Sequence, residues 1–154
     1  MTDNKRVTRE CAIADLDEVL RKAIYAHLAE HQIGEIKSSV QMCCETTSMQ
    51  KKKSVFGGSE KALQAALLTE DSLIWAEKIS GKPVSAGSAK LTHIDMRDYE
   101  NTAMFDAIAD MGVNITGRYT DPSQTGQLFI ALDAGPAGKK FRELLREAIK
   151  NSKK

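Results

Sequence analysis

The chain has 154 residues, of which 42% are hydrophobic and 28% are charged. This length suits one domain, and this composition is that of a globular protein rather than of a disordered one. The formal net charge of +1 provides no global attraction to nucleic acid or to a membrane. An anionic partner would therefore have to be recognised by a local patch.

The cysteine content and the first residues bear on the compartment. Three cysteines without a recurring spacing do not indicate a disulfide framework, and they favour a reducing environment. Residues 2–6 are polar or charged, unlike the apolar core of a secretion signal. The longest apolar run, residues 128–132, is far shorter than the roughly 18 residues of a membrane span. We therefore expect a cytoplasmic protein.

The first predicted element is an amphipathic helix at residues 8–33. Apolar side chains recur there at three- and four-residue spacing, which places them on one helical face. Thr8 suits the N-cap, and Gly34 ends the pattern. The apolar stripe consists of Ile13, Leu16, Val19, Leu20, Ala23, Ile24 and Leu28.

From residue 36 the hydrophobic period changes to two, which predicts a half-buried strand. In that strand Cys43 and Cys44 are adjacent, so their side chains point to opposite faces. We expect one thiol to be buried and the other exposed, as ordinary packing residues. Further along, residues 63–68 and 73–79 are apolar runs separated by polar turn-forming residues, which predicts a hairpin.

The second half of the chain continues with short elements. A weaker strand is predicted at residues 84–96, and residues 101–111 are compatible with a short helix or a strand. Two further strands are predicted at residues 113–119 and 127–132. The last element is an amphipathic helix, because Pro136 suits a first helical turn and a one-sided apolar stripe follows it.

The predicted order is a helix, about seven strands and a terminal helix, which favours an α+β fold with mostly antiparallel pairing. Residues 65–76, AALLTEDSLIWA, look like the second hairpin of bacterial pleckstrin-homology-like (PH-like) domains. Residues 126–132, GQLFIAL, with the helix that contains Phe141 and Leu144, are similar to the last strand and capping helix of that family. The resemblance implies a seven-stranded PH-like sandwich or barrel over residues 35–150. Residues 1–34 would then form an N-terminal helical extension and residues 151–154 a tail.

A run of lysines follows the first predicted strand. It comprises Lys51, Lys52 and Lys53, and Lys61 lies a few residues further on. In lipid-binding PH domains, basic residues of the corresponding loop hold inositol phosphates, so the resemblance implies a candidate site for an anionic lipid here. The alternative is a solvated loop whose charge protects a strand edge from unwanted pairing.

Two histidines are candidates for a metal site. His27 and His31 are four residues apart and share one face of the predicted helix. A metal-dependent enzyme built on this pair would need a third ligand, and none is identifiable from the sequence. We also find no motif for a catalytic nucleophile and no recognisable cofactor site.

The sequence therefore favours a noncatalytic protein-binding or self-assembly module without a cofactor or a nucleic-acid partner. The apolar helix stripe motivates this hypothesis, since it would suit docking onto the chain's own sheet or onto a neighbouring copy. The alternatives are peripheral binding to anionic lipid and metal-dependent catalysis. The residues proposed for an oligomer interface are Ile13, Leu16, Leu20 and Ile24.

Overall fold

The computed structural model describes residues 5–36, 39–51, 59–101 and 111–154. Within these ranges the protein is an α+β fold in which two α-helices accompany eight antiparallel strands in two sheets. The strands are β1 (Lys5–Glu10), β2 (Val40–Lys51), β3 (Ser59–Thr69), β4 (Ser72–Ile79), β5 (Ser85–Lys90), β6 (Ile94–Asp98), β7 (Gly112–Gly117) and β8 (Leu128–Ala131), and the helices are α1 (Glu18–Glu30) and α2 (Pro136–Ser152).

The first five strands form one sheet in the order β1-β2-β3-β4-β5, and β6-β7-β8 form the second. The inner face of the five-stranded sheet packs against the three-stranded sheet and α2. Phe141 from α2 is fully buried in this inner core. Trp75 lies in it beside Gly87, where an added Cβ atom would be 2.6 Å from the indole ring. These side chains join the two sheets and α2 into one apolar core.

Helix α1 packs on the opposite, outer face of the five-stranded sheet. It begins after Asp17, whose carboxylate accepts hydrogen bonds from the backbone N–H groups of Val19 and Leu20 at 3.0 and 3.3 Å. The helix lies chiefly over β4 and β5 and also contacts β3. It therefore covers only part of the outer face.

A polar seam, defined by Thr8, Thr46, Gln64 and Asp133, connects the five-stranded sheet to β8 and to the start of α2. The Gln64 amide donates to the Phe129 carbonyl at 2.9 Å and accepts from the Ala131 N–H at 2.7 Å. The Thr8 N–H donates to the Asp133 carboxylate at 2.9 Å, and the Asp133 N–H donates to the Thr8 hydroxyl at the same distance. Because backbone groups at a sheet edge need partners, the seam satisfies them where the two sheets meet.

Four ion pairs hold α2 against β6 and the residues around it. Arg146 contacts Asp98 at 2.7 Å, and Arg142 reaches both Asp98 at 3.1 Å and Glu100 at 2.7 Å. Lys153 pairs with Asp95. The helix and the residue that follows it are thus held by ion pairs as well as by the apolar contacts of the inner core.

Several predicted elements are confirmed. The hairpin of residues 63–79 is β3 and β4, the strands at 113–119 and 127–132 are β7 and β8 with shorter bounds, and the terminal helix is α2. That helix extends through Ser152, so residues 151 and 152 belong to it rather than to a tail. The short element predicted at 101–111 falls mostly outside the described residues.

Two predictions were wrong. Residues 8–10 belong to β1 rather than to a helix, because this segment pairs with β2, and α1 starts only at Glu18. Residues 84–96 are not one strand, because a short 3-10 turn at Leu91–His93 carries the chain from the first sheet to the second. The described residues consequently hold more strands than the seven predicted, and part of residues 1–34 belongs to the main sheet.

Candidate functional site

The predicted lysine site is described only in part. Lys51 ends β2, whereas Lys52, Lys53 and the side chain of Lys51 fall outside the described residues. Lys61 is exposed on β3. It has the same strand parity as Ala65 and Leu67, which pack beneath α1, so Lys61 lies on the outer face of the sheet.

The strand register places further residues beside Lys61. A row of directly opposed residues crosses the strands at Lys5, Met49 and Lys61. The next row on the same face consists of Val7, Thr47, Leu63 and Lys78. Directly opposed side chains on one face of a sheet are neighbours. Together these rows form what we call the outer basic patch, which consists of Lys5, Val7, Thr47, Met49, Lys61, Leu63 and Lys78.

The outer basic patch combines positive charge with exposed apolar surface. Val7 is 61% exposed and Met49 is 39% exposed, the former among the most exposed apolar side chains in the described residues. The two rows contain no carboxylate, and none of their lysines forms an ion pair with another described residue.

Two described carboxylates on neighbouring positions are accounted for elsewhere. Glu45 is buried and paired with Arg9 at 3.0 Å. Glu77 has the opposite strand parity and faces inward, where burial raises the pKa of its carboxyl group. The patch therefore presents uncompensated ammonium groups together with apolar side chains.

The four residues proposed for an oligomer interface are not on the surface. Ile13, Leu16, Leu20 and Ile24 are all buried against the chain's own sheet. These four side chains thus dock internally, which was one of the two arrangements compatible with the sequence. Self-association stays a prediction, but these side chains offer no exposed surface for it.

The two histidines occupy different environments. His27 is buried, and its Nε2 atom lies 2.8 Å from the Ser88 hydroxyl, which in turn donates to the Thr120 hydroxyl at 2.7 Å. Burial, followed by the proximity of His31, lowers the pKa of His27, while Glu30 and Asp121 oppose the shift. Within the described ranges, no group of three or more metal-ligating side chains is placed to bind one ion. We therefore propose no metal chemistry for this pair.

The expectation that one of the adjacent cysteines is exposed was wrong. Cys43 faces the outer core and Cys44 the inner core, and both are buried because both faces of the sheet are covered at this point. Burial raises the pKa of both thiols, that of Cys44 to about 12. A thiol with a raised pKa is a poor nucleophile, so both residues act as packing groups.

The patch was only partly predictable, since Lys61 was the one described member that sequence reasoning selected. Lys5, Met49 and Lys78 come from three other strands, and only the pairing register brings them together. The sequence did contain one signal for this patch. Lys61 and Leu63 are two residues apart in a strand, so their side chains lie on the same face of the sheet.

Comparison with known proteins finds no matching family model, no matching curated protein and no matching solved structure. None of the helices in the described ranges is long and apolar enough to cross a membrane.

Proposed function

We propose that this protein is a noncatalytic module that docks onto an anionic membrane surface through the outer basic patch. One observation carries the proposal: Lys5, Lys61 and Lys78 share a sheet face with exposed Val7 and Met49, without a carboxylate between them. Lysines near an anionic leaflet contribute about 1 kcal/mol each. Exposed apolar side chains add stabilisation of about 25 cal/mol per Å² when they leave water.

The combination favours a membrane over other anionic partners. A soluble polyanion needs positive charge alone, whereas a bilayer also rewards apolar groups that enter the headgroup region. Lysine suits this role because its aliphatic stem lies on apolar surface while its ammonium group stays hydrated. The charges of Lys51, Lys52 and Lys53 would add to the attraction, since β2 ends only two residues after Met49.

The finer fold assignment is also a proposal. We infer a PH-like sandwich, in which β2 to β5 form the first sheet, β6 to β8 the second, and α2 the closing helix. The strand order and the position of α2 support this assignment. Helix α1 and strand β1 would then be additions to the PH-like core. Since fold does not imply function, the membrane proposal rests on the patch and not on this assignment.

Sedimentation with phosphatidylserine-containing vesicles tests the membrane proposal. The double variant Lys61→Glu/Lys78→Glu should bind at least about 30-fold more weakly than the native protein, which corresponds to about 1 kcal/mol for each lost lysine. The matched control is Lys139→Glu/Lys150→Glu, which makes the same charge change on the exposed side of α2. Equal loss in the two variants would refute a role for the patch.

Two further arms separate the sources of attraction. Val7→Ser/Met49→Ser should weaken binding to vesicles but leave binding to heparin unchanged, because a soluble polyanion has no apolar interior. A protein that binds heparin but not vesicles would contradict the membrane proposal. Replacing Lys51, Lys52 and Lys53 together by Ala measures the contribution of the adjoining loop.

The protein-binding and self-assembly hypothesis stays a prediction, but the four residues proposed for its interface are buried within the chain, although Val19 of the same stripe is 40% exposed. Some backbone groups at the edges of the five-stranded sheet also have partners: at β5, the Thr120 N–H donates to Ser88 O and the Gln124 amide to Ala86 O. At β1, the Thr8 N–H donates to Asp133. Light scattering at micromolar concentration checks this point, and a stable oligomer would restore the hypothesis.

A further inference from the structure

We infer that the cavity between the β5–β6 connection and the loop after β7 is a binding site for a small phosphate-bearing ligand. This cavity, which we call the loop cavity, has a volume of about 500 Å³. That volume lies within the range of about 300–1,000 Å³ that small-molecule sites occupy. It is separate from the outer basic patch and shares no residue with it.

Three basic side chains from three parts of the chain line the loop cavity. Lys90 is the last residue of β5, His93 ends the 3-10 turn, and Arg118 directly follows β7. All three are exposed, and none has a carboxylate partner in the described part of the chain. The lining contains no acidic residue, so its charge is uncompensated.

The donor set matches phosphate chemistry. A guanidinium group can bind two phosphate oxygens through parallel N–H groups, and an ammonium group adds a compact positive charge. Thr125, which also lines the cavity, has a hydroxyl group that can act as a neutral donor. A phosphate group presents enough acceptor oxygens for these donors, whereas a carboxylate has only two oxygens to share among them.

The loop that forms the cavity is held in place without a ligand. The Arg118 N–H donates to His93 O at 3.0 Å, and the Thr120 N–H donates to Ser88 O at 2.8 Å. At the far end, the Tyr119 hydroxyl donates to Gly126 O at 2.5 Å, and the Tyr119 ring meets Trp75 edge-on with centroids 5.6 Å apart. Because these contacts fix both ends of the loop, little ordering is left to oppose binding.

Gly117 keeps the two walls of the cavity close together. Its φ is +137°, and an added Cβ atom would lie 2.1 Å from the His93 carbonyl oxygen. Any other residue would therefore push β7 away from the 3-10 turn that carries His93. The spacing between His93 and Arg118 thus depends on a position that only glycine fits.

Titration with inorganic phosphate, followed by amide NMR shifts at constant ionic strength, tests the inference. The amides of Arg118, Thr125 and Gly126 should shift together along one saturating curve. Acetate in place of phosphate should bind more weakly. Phenyl phosphate should bind at the same amides, which would show that a phosphate monoester is accepted.

Variants make the test specific. Arg118→Gln and Lys90→Gln should each weaken phosphate binding by at least roughly tenfold, since each removes a charge and at least one charge-assisted hydrogen bond. Arg97→Gln removes an exposed arginine that does not line the cavity, so it should leave binding unchanged. Equal weakening by all three variants, or shifts scattered over surface lysines, would overturn the inference. Such a failure would leave the vesicle experiment unaffected, since the two sites share no residue.

Discussion

The two faces of the five-stranded sheet differ in how completely they are covered. The inner face lies under a second sheet and α2, whereas α1 covers only part of the outer face, chiefly over β4 and β5. Along the outer face of β3, Leu67 and Ala65 are fully buried, but Lys61 beyond them is exposed. The residue type thus changes from apolar to charged as burial along the strand decreases.

This difference shows how one sheet can serve two purposes. Where a second layer covers the strands, alternate residues stabilise the fold by leaving water. Where no layer covers them, residues of the same parity are free to contact a partner. We therefore expect substitutions on the covered and uncovered regions to have opposite consequences for stability and for binding.

The largest expected effect is on the covered inner face. Phe141→Ala should lower the free energy of unfolding by about 3–5 kcal/mol, because it removes a fully buried ring and leaves a cavity. Met49→Ala on the outer basic patch should change it by less than about 0.5 kcal/mol. Urea unfolding measures both, and comparable destabilisation by the two variants would contradict the comparison.

A smaller effect is expected at the polar seam, which joins the covered face to β8. Gln64→Leu should cost about 1–3 kcal/mol, since the backbone groups of Phe129 and Ala131 lose their partner. Gln41→Leu, at an exposed position of β2, serves as the control and should be nearly neutral. If both changes are neutral in urea unfolding, water replaces the amide and the seam does not connect the sheets.

The smallest effect concerns His27, which lies where α1 meets β5. Its pKa is lowered in the folded state, so the folded protein binds fewer protons than the unfolded chain, in which histidine titrates near about 6.5. Stability is therefore intact above that pH and decreases as the pH falls below it, by at most about 1.4 kcal/mol per pH unit. Urea unfolding between pH 7.5 and pH 5, as rough limits around that value, measures this decrease.

The matched variants for this experiment are His27→Gln and His93→Gln. The first should flatten the pH dependence, because it removes the buried imidazole. The second changes an exposed histidine and should preserve it. If the stability of His27→Gln decreases with falling pH as steeply as that of the native protein, another group causes the loss of stability at low pH.

Elements that bury a continuous apolar stripe or run were predictable from the sequence. The hairpin of β3 and β4 and the helix α2 have such patterns, and their bounds differ from the predictions by few residues. Strand β1 was missed because its sequence, KRVTRE, is mostly charged, and its one aliphatic residue, Val7, faces outward. Pairing with β2 stabilises β1, and that pairing is a long-range property.

The start of α1 was mispredicted for a related reason. Ile13 and Leu16 continue the helical spacing of the later stripe, but they do not belong to the helix. Ile13 lies in a 3-10 turn and Leu16 is the C-cap of that turn, and both are buried in the same cluster as the helix stripe. Periodicity reports which residues are buried and not which backbone conformation carries them. The Asp17 side chain, which caps the helix, was the local signal that would have corrected the boundary.

The candidate sites were less accessible to sequence reasoning than the fold. The outer basic patch needs the register of four strands, and the loop cavity unites Lys90 with Arg118 across the sheet-to-sheet connection. Neither relation follows from spacing along the chain. Local clusters such as Lys51 to Lys53 are visible in a sequence, whereas a site assembled from single residues on separate strands is not.

Trp75 is the single tryptophan of the chain, and it touches both the central core and the loop that carries Arg118. Its emission spectrum is consequently an intrinsic optical probe that needs no label. A shift of the emission maximum should accompany unfolding of the inner core. A small intensity change, transmitted through Tyr119, should accompany ligand binding in the loop cavity. One aromatic side chain thus makes two different events in this molecule observable in a cuvette.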